Sequence, residues 1–233
     1  MQSSNNVPLT SFADSLRARG IDTSPSALVA ALHNDDPKIR ALAAYKLAED
    51  RHKEAIPAIE AALSTEKNPQ TRVGISSALW SLGDEEGRKQ LETICTNPSL
   101  PTSVITNATN NLQMRGQGGK CANTILTLID RATESYQRQA LLPLFPGMYG
   151  GSIPEVATRM VASAQGMLSD KSPAVRIMAS HVLVQMGSKS SAELIQSASM
   201  RETDPVVQSS LIEDLAALEK KHTRDSHRNV SRN

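Results

Sequence analysis

Apolar residues recur at three- to four-residue intervals in stretch after stretch of this chain, and helix start and stop signals stand between the stretches. The clearest case is PQTRVGISSALWSLGD, from 69 to 84. Asn68 offers an N-cap oxygen, Pro69 a pre-set first turn, and Gly83 a residue able to take the left-handed conformation that ends a helix. PAVRIMASHVLVQMG, from 173 to 187, repeats the pattern with Pro, then Arg three residues on, Leu ten on and Gly fourteen on. PKIRALAAYKLAED, from 37, repeats it without the Gly. A module that recurs along a chain means a solenoid, in which each unit buries its apolar face only against its neighbours.

Inner helices starting at Pro37, Pro69, Thr102, Ser135, Pro173 and Pro205 are spaced 32 or 33 residues apart, except for a step of 38 from Ser135 to Pro173. Registered on those starts, the chain shows three columns at spacings of four, which puts them on one helical face. The first is Ile39, Thr71, Val104, Gln137, Val175 and Val207; the second is Ala43, Ile75, Ala108, Leu141, Ala179 and Leu211; the third is Leu47, Leu79, Leu112, Phe145, Leu183 and Leu215. The third column is apolar throughout, so these positions are core. The fold expected is all-α, a right-handed α-solenoid of about six helical hairpins.

Residues 1–23 read as a flexible N-terminus with a short capping helix from Ser11, Phe12 and Leu16 on one face and Gly20 its stop. The repeat array spans 24–219, with an outer helix of its second repeat near Glu54 to Thr65. The remainder, 220–233, KKHTRDSHRNVSRN, reads as a disordered basic tail. The one irregular step contains PLFPGMYGGSIP, from 143 to 154. Pro143 should end or kink its helix, and Pro146, Gly147, Gly150 and Gly151 should forbid regular structure. Two readings stay open for this break: a partner-docking loop presenting Met148 and Tyr149 beside Phe145, or a spacer into which these side chains pack.

The chain is 39% apolar and 21% charged, enough for a core and too little charge for general disorder. A net charge of +1 gives no global field for nucleic acid or an anionic membrane, so neither is an expected partner. No run of apolar residues is long enough to span a bilayer, and the start MQSSNNVPLT has neither a basic nor an apolar signal region. A cytoplasmic location is expected for the chain as given; an exported or periplasmic one applies if a signal peptide was trimmed upstream. Cys95 and Cys121 fall near the end of one outer helix and the start of the next. Parallel stacking of such helices would hold them about 15 Å apart, so unbonded buried or half-buried thiols are expected rather than a disulfide.

Pro, then Val-Arg, a small pair, Ala-Leu and Leu-Gly-Asp resembles the inner helix of HEAT repeats, particularly the short bacterial kind, of the armadillo-type superhelix class. Pro69, Arg72, Ser76, Ala78, Leu79, Leu82, Gly83 and Asp84 carry the resemblance, as do Pro173, Val175, Arg176, Ala179, Ser180, Leu183 and Gly187, and Pro37, Ile39, Arg40, Ala43, Ala44 and Leu47. Ile105 and Gln208 depart from it where Arg is usual, and Trp80 where a small residue is usual. The resemblance implies a non-enzymatic protein-interaction scaffold. Bilin lyase subunits and DNA glycosylases of the same build supply the alternatives: an accessory or catalytic subunit of a modification enzyme, or a DNA-processing protein.

No catalytic residue, metal ligand set or cofactor site is legible. The histidines pair with no Cys or His at metal-binding spacing, and GQGGK, from 116 to 120, lacks the strand a phosphate loop needs and reads as a plain turn. The Arg column, Arg40, Arg72, Arg138 and Arg176, is expected to pair with inter-helix acids such as Asp35 and Asp170. A protein or peptide partner is expected on the concave face, where Tyr45, Ser77, Asn107, Asn110, Pro143, His181, Gln185 and Glu213 form a mostly uncharged, hydrogen-bonding strip.

Overall fold

The computed structural model describes residues 11–230, with side chains described to 220. All regular structure among the described residues is helical: α1 (Phe12–Arg17), α2 (Pro25–Ala31), α3 (Pro37–Glu49), α4 (Ile56–Thr65), α5 (Pro69–Leu82), α6 (Glu85–Cys95), α7 (Thr102–Gln113), α8 (Ala122–Asp130), α9 (Ser135–Leu141), α10 (Phe145–Tyr149), α11 (Pro154–Met167), α12 (Pro173–Met186), α13 (Ser191–Ser199) and α14 (Pro205–Val230). Short 3-10 turns at Lys53–Ala55, Gly118–Cys121 and Leu142–Leu144 lead into α4, α8 and α10. The fold is an α-solenoid of helical hairpins. The chain divides into two compact units, 11–94 with Ser103–Asn111, and Cys95–Thr102 with 112–230.

In the first unit the start and stop chemistry works as the sequence predicts. Asn68 Oδ1 accepts the Thr71 N–H at 3.0 Å, and Gly83 turns left-handed at φ 97°. Its N–H donates to Trp80 O and that of Asp84 to Leu79 O, which satisfies the last carbonyls of α5. α3 lacks a glycine stop; Arg51 takes the left-handed position itself, at φ 61°. Leu28, Leu32, Ala43, Leu47, Ile59, Ile75 and Leu79 fuse into one core that also takes Leu16 of α1. Gly87 of α6 lies so close to α5 that a Cβ there would meet Ser76 O at 2.3 Å and Trp80 N at 2.5 Å.

In the second unit Val175, Ala179 and Leu183 of α12 and Val207 and Leu211 of α14 are buried as the columns require, with Gln137 and Leu215 half-buried. Four expectations are corrected here. The break after Pro143 is not irregular: α9 ends at Leu141, a 3-10 turn carries Pro143, and Phe145–Tyr149 is helical despite Pro146 and Gly147. Pro146 falls in the first turn of α10, where a missing N–H costs nothing.

The Gly-rich stretches around 118 and 147 are two sides of one junction. A Cβ on Gly119 would sit 2.2 Å from Gly151 O, and one on Gly147 would sit 2.7 Å from Gln113 Cδ, whose amide donates to Leu144 O at 2.6 Å. GQGGK is therefore a packing surface rather than a plain turn. Cys95 and Cys121 are disulfide-bonded, with Cα atoms 5.3 Å apart and an S–S distance of 2.10 Å. Parallel stacking does not hold the two cysteines apart, because Cys121 closes a 3-10 turn that precedes α8 and Cys95–Thr102 packs with the second unit. Finally, α14 runs past the expected end of the array to Val230. The expected disordered tail is thus helical in backbone through that residue, since nothing between 206 and 230 is Gly or Pro; residues 231–233 lie outside the described residues, as do 1–10 of the expected flexible N-terminus.

Candidate functional site

Each half of the expected strip belongs to a different unit. In the first, Tyr45 of α3, Ser77 of α5 and Asn107 and Asn110 of α7 come from successive inner helices. Tyr45 is not free: Phe12 of α1 stacks on it, ring centroids 5.3 Å apart and planes within 10°. Burial pushes its phenol above the usual tyrosine value. Ser77 Oγ donates to Asn111 Oδ1 at 2.6 Å, and Asn111 Nδ2 donates to Asn107 O at 2.8 Å. Asn111, absent from the expected strip, thus engages its amide internally. Asn107 and Asn110 remain exposed on the same helix.

In the second unit His181 and Gln185 of α12 and Glu213 of α14 are exposed, as is Pro143. His181 Nε2 lies 3.5 Å from Ser210 Oγ and 3.6 Å from Asp214 Oδ1. Asp214 is buried, and burial raises its carboxyl above the usual aspartate value against the opposing hydroxyl of Ser180 and the charge of His181. One ring nitrogen faces both partners, so this trio cannot pass a proton from hydroxyl to carboxylate through the imidazole. Beside it, Ile177, Pro205, Val206, Ser209, Ser210 and Glu213 line an open hollow of about 520 Å³. Val206 is 70% exposed there and Ile212 is 55% exposed on the same helix. The sequence held a signal for both: they are apolar positions off the stripe of Val207, Leu211 and Leu218.

The docking-loop reading of the break meets its geometry at Met148, which is fully buried, and at Tyr149, which is half-buried. An anchor must be reachable, and Met148 instead packs beside Gly118, so of the two readings left open the docking loop lacks this anchor.

The Arg column is structural. Arg40 grips Glu66 through Nε and Nη2 at 2.6 and 2.8 Å while Nη1 donates to the carbonyls of Asn34 and Asp35. Arg176 does the same with Glu202 at 2.7 and 3.0 Å and with the carbonyl of Asp170. Arg138 sets Nε 2.7 Å from Asp170 Oδ2, and Arg72 reaches Gln90 Oε1 and the carbonyls of Leu63 and Glu66. The expected partner Asp170 is correct, whereas Asp35 serves through its carbonyl. Burial raises the Glu66 carboxyl, but hydrogen bonds from Arg40 and the Asn68 N–H outweigh it and leave the net shift downward. At Glu202 the Arg176 hydrogen bond leads, and the carboxyl is again lowered. Hollows of about 400 and 270 Å³ accompany the Arg40 and Arg176 clamps; recurring with the repeat, they belong to its packing.

Residues 25–112 match the family HEAT repeats. No curated protein matches the chain. Among solved structures it is similar to the complex of CpcE and CpcF of phycocyanin lyase from Nostoc sp. PCC7120, at 20% identity and a TM-score of 0.48, covering 94% of this chain and 80% of that one. It is also similar to an archaeal HEAT-like repeats protein from Thermococcus onnurineus NA1, at 15% identity, a TM-score of 0.44 and coverage of 90% and 92%. Human deoxyhypusine hydroxylase matches at 16% identity, a TM-score of 0.42 and 88% of each chain. The matched residues 25–112 include α3 and α5, on which the Pro start and the Arg and Leu register are in place.

Proposed function

We propose that this chain is a non-enzymatic binding module that holds a protein or peptide partner on the exposed face of its inner helices. The observation that carries the reading is the pair Asn107 and Asn110, exposed on α7 beside the Ser77–Asn111 hydrogen bond. Each primary amide both donates and accepts, so the pair suits the amides and carbonyls of a peptide better than a polyanion. The Arg column of the inner helices, Arg40, Arg72, Arg138 and Arg176, which would favour a polyanion, is spent on clamps. The Cys95–Cys121 bond supports an oxidising compartment, and with it the exported alternative, since such bonds persist where thiol reductants do not hold cysteines reduced.

Affinity capture with the purified chain, followed by Asn107→Ala/Asn110→Ala, tests this. Both side chains are exposed, so the thermal unfolding of the double variant should be unchanged. Loss of the captured partner at unchanged stability is the expected result; retention of the partner by the double variant would refute the α7 face as the docking surface.

A further inference from the structure

The open hollow between α12 and α14 changes character along its length. Val206, Ser209, Ser210 and Glu213 stand at i, i+3, i+4 and i+7 on one face of α14, and Ile177 of α12 lies against them. Over about 10 Å of helix the lining passes from the apolar Val206, 70% exposed, through two hydroxyls to the carboxylate of Glu213. No Lys or Arg takes part in it. An anion finds no free N–H at the start of α14, because Asp204 Oδ1 accepts those of Val206 and Val207 at 2.9 and 3.3 Å and Asp204 O accepts that of Gln208.

A second carboxylate adjoins the acidic end, one residue on from Glu213 and one turn on from Ser210. Nine residues after the starts at Pro69, Ser135 and Pro173 the chain buries Ala78, Leu144 and Val182, and Asp214 takes the corresponding place in α14 while only 8% exposed. His181 Nε2 lies 3.6 Å from its Oδ1, and its Oδ2 has no hydrogen-bond partner. The same His181 nitrogen reaches Ser210 Oγ, in the wall of the hollow, at 3.5 Å. A carboxylate held in an otherwise apolar column is costly unless a cation faces it.

We propose that this hollow receives a lysine or arginine side chain of a peptide partner, its aliphatic stem lying on Ile177 and Val206 and its cation held by the charges of Glu213 and Asp214. The hydroxyls of Ser209 and Ser210 accept from the cation. Such side chains cover apolar surface with their stems and keep the charged head at its polar edge. The site lies in the unit that does not contain Asn107 and Asn110, and it stands whether or not the α7 face docks a partner.

Titration of isotopically labelled full-length protein with four blocked pentapeptides, alanine at every position except a central Lys, Arg, norleucine or Glu, tests this by NMR. The Lys and Arg peptides should shift the amides of Val206, Ser209, Ser210 and Glu213 saturably, with Kd of about 1–10 mM, whereas the norleucine and Glu peptides should not saturate in that range. Glu213→Gln, at an exposed position, should weaken the Lys peptide about threefold. Glu213→Gln/Asp214→Asn should bring it to the level of the norleucine peptide; the single variant carries the test if thermal unfolding shows that the double one does not fold. Asn107→Ala/Asn110→Ala should bind the Lys peptide as wild type does. Absence of saturable shifts with Lys and Arg, equal binding of the norleucine peptide, tighter binding of the Glu peptide, or an unchanged Kd in Glu213→Gln overturns the proposal. So does loss of Lys-peptide binding in the Asn pair variant, which would put the contact on α7. Retention of the captured partner by that variant refutes the α7 face alone and leaves the hollow in place.

Discussion

α5 and the segment from 135 to 149 occupy the same place in the second and the fourth repeat and are held in opposite ways. α5 is a single helix with an Asn cap, a Pro first turn, a left-handed glycine stop and an apolar face set by side-chain spacing. The later segment is broken into α9, a 3-10 turn and α10, and it is fixed by close approach of backbone to backbone, Gly119 against Gly151, and by Gln113 lodged between Gly118 and Gly147. Regular repeats get their positions from periodicity. The irregular one gets its position from contacts among residues about thirty apart in sequence, at sites where any side chain would intrude.

The sharpest way to break that contrast is Gly119→Ala. The new Cβ would lie 2.2 Å from Gly151 O and 2.5 Å from its carbonyl carbon, and backbone cannot rotate aside as a side chain can. A loss of about 3 kcal/mol or more by urea unfolding is expected. A loss below about 1 kcal/mol would show that the junction yields and that the segment is loosely held. Next in size is Met148→Ala, which empties a fully buried site and should cost about 2–4 kcal/mol while leaving partner capture intact. Lost capture at unchanged stability would restore the docking reading of the break.

Most of the fold was legible because side-chain columns at a spacing of four report a buried face directly, and a cap residue with a glycine stop reports a helix end. Ala43, Ile75, Ala108, Leu141, Ala179 and Leu211 are all buried where their column places them. The disulfide was not legible, because its argument assumed that Cys121 begins a helix in parallel stacking; the residue instead closes a 3-10 turn whose course depends on Gly118 and Gly119 meeting α10 and Gly151. The site was legible in parts. Asn107, Asn110, His181, Gln185 and Glu213 are exposed, but Tyr45 is covered by Phe12, a contact between α1 and α3 that no local pattern encodes. The role of Asn111 is not locally encoded either, since its partner Ser77 is 34 residues away.

The clamps give a smaller effect common to both units. Glu66→Gln and Glu202→Gln each leave an Arg facing a neutral amide, at a cost of about 1–2 kcal/mol near neutral pH. Both carboxyls are lowered in the folded protein, so their stabilisation is complete above the unfolded carboxylate value. It is lost as pH falls through the folded values. Urea midpoints measured from about pH 7 down to about pH 2 should therefore fall more steeply for wild type than for the double variant. Parallel curves would mean that these pairs contribute nothing that acid can remove.

The smallest expected change tests whether glycine is required throughout the irregular segment or only at its contact points. Gly150 has φ −68° and ψ −20°, ordinary right-handed backbone, and a Cβ built there meets nothing within 4 Å. Alanine fits that conformation without strain and narrows the unfolded ensemble, so Gly150→Ala should stabilise by about 0.5 kcal/mol. Gly119→Ala and Gly150→Ala then have opposite signs although both residues stand in glycine pairs, and close approach alone separates them. If Gly150→Ala instead destabilises to the same degree as Gly119→Ala, the segment after α10 moves through conformations that only glycine permits, and the description of 135–149 as rigidly interlocked fails.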